Sequence, residues 1–325
     1  MYFFVHCRTS HGMNETLVRY RVGNWREYNQ SLIERGNLEL WFNDEVLLQW
    51  TVATATGRRG RPRVYSDLAM QCLFALRLLY HLPLRATQGL FLSLMRLLGV
   101  ALTVPNYSTL CRRQARLNPG LALSTAKEAR HLLIDSTGLK LFGEGEWKMR
   151  THGKGKRRTW RKLHLAVDAT TREIVATRLT EASAHDAQVV PELLWEVEGK
   201  IRKVSADGAY DTWECRCAIH TREAEANIPP RENAAMTCCD DVPPALERDR
   251  AIGAIQQTGL QQWKERTGYG QRSLAETTMF RVKTTFGERL KARVIQNQVA
   301  EAVMKSHILN RFIQQGLPKS EKVME

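Results

Sequence analysis

Tyr269, Arg272, Glu276 and Lys283 lie in the stretch YGQRSLAETTMFRVK, separated by three, four and seven residues. On a helix turning about 100° per residue, the four fall within a sector of roughly 60°. One carboxylate then shares a face with two cations and a phenol. Two further acids stand where short apolar stretches give out into small residues: Asp135 in HLLIDSTG and Asp207 in KVSADGAYD. Acids at the ends of neighbouring strands project into one crevice. Three converging carboxylates repel one another unless a cation joins them. Hard divalent ions take oxygen ligands and keep positions for water and phosphate oxygens. Two such ions can serve an in-line displacement at phosphorus. The chemistry suggested is metal-dependent attack on phosphodiesters, with Asp135, Asp207 and Glu276 as catalytic metal ligands for two Mg²⁺ ions and Mn²⁺ as an expected substitute. The sequence contains neither a G-x-S-x-G elbow nor a Walker loop.

Each acid also has a purely structural alternative. Asp135 could cap a turn, and so could Asp207 before Gly208. Glu276 could complete a capping box with Ser273. The order of all three acids, and the elements expected to carry them, favour the catalytic reading.

The charge balance points to the substrate. Forty-eight Lys and Arg against 34 Asp and Glu leave a net charge of +14, which suggests a polyanionic partner, nucleic acid above all. The run KMRTHGKGKRRTWRK, 148–162, holds eight Lys or Arg and two glycines. It reads as a hairpin gripping DNA phosphates through Lys154, Lys156, Arg157 and Arg158, with Trp160 stacking on a base; the alternative is a solvated loop tip. Arg59-Gly-Arg61-Pro-Arg63 resembles the core of an AT-hook, a strip that could enter a narrow minor groove. A plain basic linker explains it equally well. Seven cysteines at irregular spacing argue against a disulfide framework and lack common zinc spacing. No apolar run reaches membrane-spanning length, and YFFV at 2–5 is too short for the core of a signal peptide. The expected location is cytoplasmic.

The elements that must position these groups follow from periodicity. Residues 25–50 read as one or two amphipathic helices and 56–67 as a basic arm. Residues 67–98 read as helical, with Gly99 as a stop. Asn106 is a capping candidate for a short helix carrying Ser108, Arg112 and Arg113. Two helices followed by such a third fit a helix-turn-helix DNA reader, with a plain helical bundle as the alternative. Beyond about residue 130 the pattern changes. It predicts a strand ending on Asp135, a hairpin over 163–179, a helix over 186–199, a strand ending on Asp207 and a further strand over 225–233. A helical insertion over 234–265, the 269–283 helix and a final helix over 294–313 complete an α/β layered domain. The domain division is 1–24 as an extension expected to be disordered, 25–128 as a helical DNA-binding region, 129–315 as the catalytic domain and 316–325 as a tail. Residues 1–12, ahead of a second methionine at Met13, are expected to be an unstructured or wrongly included start.

The acids and the signature together resemble the bacterial DDE transposases of the insertion-sequence-five family, especially its long-protein subgroup. Tyr269, Arg272, Glu276 and Lys283 match that family's Y-x-x-R-x-x-x-E-x-x-x-x-x-x-K signature at every place. IDSTGLK at 134–140 and ADGAYDT at 206–212 are similar to its first- and second-acid motifs. The GRPR and YSD arm and the PNYSTLCRR helix are similar to its N-terminal region. The resemblance runs from about Met13 to about residue 315. It implies a ribonuclease-H-like core, a mixed sheet flanked by helices with an insertion, behind an all-α helix-turn-helix-like DNA-binding domain. Asp135 is then expected on the first strand and Asp207 after the fourth. Tyr269, Arg272 and Lys283 are expected to orient the glutamate helix or bind the transposon end. The implied partners are the terminal inverted repeats, target DNA and further copies of the chain in a paired-end complex on the bacterial nucleoid. The implied reaction frees a 3′-hydroxyl at the element's end and joins it to target DNA. A metal-dependent nuclease on the same core, or a DNA-binding regulator without catalysis, is the competing reading.

Overall fold

The computed structural model describes residues 19–52, 62–125, 128–141, 160–237 and 242–323. Its centre is a sheet of strands β2 (Arg130–Leu141), β3 (Trp160–Asp168), β4 (Ile174–Glu181), β5 (Ile201–Ser205) and β6 (Glu225–Asn227) in the order β4-β3-β2-β5-β6. The first three are antiparallel neighbours, whereas β5 and β6 join in parallel. This is the mixed sheet of a ribonuclease-H-like core. A short strand β7 (Arg289–Leu290) pairs with the far end of β2.

Alternation along the strands fills two separate cores. Leu132, Ile134 and Ala166 face one side, where helices α6 (Val190–Glu196) and α7 (Trp213–Thr221) cover them. Leu133, Leu165 and Val167 face the other, under helices α10 (Ser273–Phe286) and α11 (Ile295–Gln315). Polar pins help to hold α11 to the sheet. Asn310 exchanges two 2.8 Å hydrogen bonds with the backbone of Ile174, and Thr177 donates to Ser306 at 2.9 Å.

The N-terminal region contributes α1 (Trp25–Glu34), α2 (Asp44–Leu48), α3 (Asp67–Leu79), α4 (Leu84–Leu97) and α5 (Tyr107–Arg113). Ser66 caps α3, and Asn106 caps α5 by accepting the Ser108 N–H at 2.9 Å. Gly99, with φ of 66°, stands just past α4 in the left-handed region that favours glycine. Helices α3, α4 and α5 pack on one another. Trp41, Phe42, Trp50, Phe74 and Phe91 belong to the same buried cluster as Leu133, Val282 and Ile308. The helical region and one face of the sheet thus share a core, so 25–128 and 129–315 are not separately packed.

Several expectations need correction. The strand through Asp135 continues to Leu141, because β3 keeps pairing with it as far as Lys140 opposite Trp160. Within 225–233 only Glu225–Asn227 is strand; Pro229 and Pro230 follow and offer no N–H to a ladder. Residues 19–24, assigned to a disordered extension, include β1 (Arg19–Val22), which pairs with β8 (Ser320–Val323) in the expected tail. The described part of 234–265, expected to be helical, carries α8 (Pro243–Thr258) and most of α9 (Leu260–Thr267).

Candidate active site

The strands β2 and β5 run parallel with Leu133 opposite Ser205. Continuing that register two residues further brings Asp135 beside Asp207. Asp135 is held within β2, its side chain 17% exposed, and its Oδ1 accepts the Ser136 N–H at 2.9 Å. Asp207 follows β5 at the N-terminus of a 3₁₀ turn, Gly208–Tyr210, where Oδ1 accepts the Ala209 N–H at 2.9 Å. The other acid of that motif, Asp211, is buried and committed elsewhere. It pairs with Arg216 at 2.7 Å and Arg248 at 3.2 Å, so Asp207 is the acid left to face the crevice.

Glu276 reaches the same place from the first turn of α10. The expected single helix over 269–283 is interrupted. Gly268, at φ 66°, ends α9, Tyr269–Arg272 form a 3₁₀ turn, and the α-helix begins at Ser273. The capping box does not form: Ser273 Oγ donates instead to the Gly270 carbonyl at 3.0 Å. The turn carries Arg272 inward. Its guanidinium lies 3.6 Å from Asp135 and also pairs with Glu276. Tyr269 packs beside Arg272 at 5.9 Å and against Trp263 at 5.9 Å.

Electrostatics ties the groups together. Burial pushes the Asp135 carboxyl above the usual range; the charges of Asp207 and Glu276 add to the rise, while the Ser136 N–H and Arg272 oppose it. Burial also raises the Tyr269 phenol, and the same three carboxylates add to it. Among the described residues, no three of His, Cys, Asp and Glu stand close enough to hold one ion. The donor set nevertheless suits a hard divalent cation: three carboxylates from three elements, within reach of one another's charge. As the structure stands, Arg272 supplies the neutralising charge.

Of the remaining predicted contacts, Lys283 is half-buried on α10. Arg63 and Arg112 are exposed. Arg113 is engaged within the fold, by the Tyr65 carbonyl and Asp67. The Ser108 hydroxyl donates to Asn106 at 2.9 Å. Trp160 lies against its own sheet, beside Gly138 and 5.6 Å from Lys140. Arg59, Arg61, Lys154, Lys156, Arg157 and Arg158 lie outside the described residues. Sequence reading missed the inward role of Arg272. It also missed the buried polar set His131, Ser205 and Asn227, although His131 and Ser205 stand at even spacing from Asp135 and Asp207 in the sequence.

Two family models, each described as "Transposase DDE domain", match this chain, one over residues 33–144 and one over residues 126–311. The second spans more than half of the chain and contains all three acids. Among solved structures, a synaptic complex of the piggyBac transposase with hairpin DNA is similar over 87% of this chain and 76% of that chain, at 11% identity and a TM-score of 0.39.

Proposed function

The chain belongs to the DDE transposases, and from that premise we propose that it is an active transposase of the insertion-sequence-five type. It binds the terminal inverted repeats of its element, cuts at the ends and joins them to target DNA. The observation that carries this reading is that Asp135, Asp207 and Glu276, from β2, the end of β5 and α10, lie within reach of one another's charge, with Arg272 paired to Asp135 and Glu276.

In this reading Asp135, Asp207 and Glu276 hold two Mg²⁺ ions. When bound, such ions make a water or hydroxyl a stronger nucleophile at neutral pH and stabilise the departing oxygen. The chain's own groups position and neutralise. Asp135 is fixed by its strand and by the Ser136 N–H, so it approaches the phosphate on a rigid element. Arg272 holds Asp135 and Glu276 together before DNA arrives, and its planar fork suits a phosphate once it does. Tyr269 braces that guanidinium. Lys283, Arg112 and Arg63 add charge for the backbone of the bound DNA.

The first stage is hydrolysis. A water oxygen bonds to phosphorus at the element's end, the P–O3′ bond breaks, and the released O3′ takes a proton. In the second stage this 3′-hydroxyl attacks a target phosphodiester and expels the target's own O3′. No covalent bond to protein forms in either. Joining two ends to one target calls for a multimer, so a paired-end complex of several copies is part of the proposal, as are a bacterial source, the cytoplasm and the nucleoid.

A pre-cut element end with a free 3′-hydroxyl, mixed with plasmid and Mg²⁺, separates this reading from a nuclease on the same core. Covalent joining of the end to the plasmid is expected; nicking without joining would favour the nuclease. A catalytically silent DNA-binding regulator is the other reading to separate. End binding without cleavage in Mg²⁺ or Mn²⁺ is the outcome that reading requires.

A further inference from the structure

Directly beneath the acid row lies a second row of polar side chains with no part in the proposed chemistry. On the face of the sheet that carries Asp135 and Asp207, Leu133 pairs with Ser205 and Ser205 with Asn227; one pair earlier, His131 stands opposite Lys203. His131, Ser205 and Asn227 are all buried. Their atoms are connected: His131 Nε2 lies 2.8 Å from Ser205 Oγ, and Asn227 Nδ2 donates to the same oxygen at 2.9 Å. The set ends on one backbone atom, the carbonyl of Thr267, the last residue of α9. Lys203 Nζ donates to it at 2.9 Å and Asn227 Nδ2 reaches it at 3.4 Å.

That carbonyl is among the orphan acceptors at a helix C-terminus, where a cation is favoured. Immediately after it come Gly268, in the left-handed conformation, Tyr269 and Arg272. Burial, with Lys203 and Arg202 nearby, holds the pKa of the His131 ring down to about 4, so it is neutral at pH 7. Apolar side chains would fill this space without the cost of desolvating amide, hydroxyl and imidazole. Asn227 Oδ1 lacks a partner among the described residues, so the amide serves here through its donors.

We propose that Lys203, Ser205 and Asn227, backed by His131, form an anchor that fixes the α9–α10 corner on the sheet and so sets Arg272 and Glu276 at the correct distance from Asp135 and Asp207. These are positioning residues: none touches the acids. Small displacements of a reacting group cost rates out of proportion to stability. The kinetic half of the inference rests on the transposase reading; the structural half does not.

The test compares wild type, Ser205→Ala and Ser205→Thr, which keeps the hydroxyl. Amide hydrogen exchange of the full chain without DNA reads the corner itself. In Ser205→Ala, exchange over 264–276 should quicken by about tenfold while β2, β3 and β4 keep their protection. On end DNA, Ser205→Ala should bind within about twofold of wild type, with cleavage down on the order of 10- to 100-fold, and Ser205→Thr should restore both readouts. Should Ser205→Ala fail to fold, Lys203→Met removes one donor to the Thr267 carbonyl and serves in its place. Unchanged exchange over 264–276 would overturn the anchor. So would faster exchange over the whole sheet, which marks a merely structural role. A wild type that never cleaves, beside a corner loosened in the variant, would sink the transposase reading and leave the anchor standing.

Discussion

Arg272 has one guanidinium for two carboxylates, and its substitution is the sharpest residue-scale test of the site. In Arg272→Met, Asp135, Asp207 and Glu276 lose the charge that neutralises them. Glu276 is 55% exposed, so solvent screens part of the repulsion and the metal-free protein should lose only about 1 kcal/mol. Mg²⁺ should then raise the variant's Tm by more than it raises that of wild type; equal shifts would contradict the shared role of arginine and metal. A second residue-scale prediction concerns His164, buried on β3 with Nε2 2.8 Å from Thr180 Oγ1. Burial lowers its pKa from 6.5 to about 4, with the charge of Lys162 in support and that of Asp186 opposing. The unfolded chain therefore takes up the proton first as pH falls. Stability present above about pH 6.5 is lost as pH drops toward 4, by on the order of 2–3 kcal/mol for this group. Urea midpoints measured from pH 7 to 4 should fall less steeply in His164→Gln, and parallel profiles would refute the assignment.

At the scale of elements, the helices and strands were largely legible because their signals are local. Asn106 caps α5 as its type and place predict, and Asn106→Ala should cost about 1 kcal/mol in urea unfolding; no change would deny the cap. The hairpin around DATTRE announced itself through alternation and a turn. What stayed hidden depended on tertiary pairing. Nothing within HLLIDSTGLKLF says that β3 will keep pairing past Asp135 and extend the strand to Leu141. The 3₁₀ turn at Tyr269–Arg272 arises because Gly268 ends α9 just ahead of it, whereas a spacing argument assumes one regular helix. That the three acids would come within reach of one another's charge was legible through order and context. The service of Arg272 to the acids was not, since spacing alone cannot say which way a cation on a turn will point.

For the whole molecule, the division into a helical DNA-binding part and a catalytic part is a division of sequence, and the cores cross it. Trp50, wholly buried, donates Nε1–H to the Thr103 carbonyl at 2.8 Å and packs on Phe42 and Phe91 in the cluster that includes Ile308 of α11. Trp50→Ala should cost about 3–5 kcal/mol. The sheet should lose stability with the helices, so far-UV and near-UV signals move to one lower midpoint. Two separate transitions would mean that the N-terminal helices fold on their own. The basic run at 148–162 and the arm at 59–63 were read from local composition and motif, and most of both lies outside the described residues.

The central claim is that Asp135, Asp207 and Glu276 together cut DNA at an element's end. The measurement that tests it most directly is strand-specific mapping of breaks on DNA carrying the sequences that flank this chain's own gene, in Mg²⁺, with EDTA and Glu276→Gln alongside. A break at an inverted repeat leaving a 3′-hydroxyl is expected, formed by wild type with metal and absent from both controls, while Glu276→Gln still binds the end. Cleavage that survives Glu276→Gln, or a variant that no longer binds the end, would contradict the assignment of that glutamate as a metal ligand.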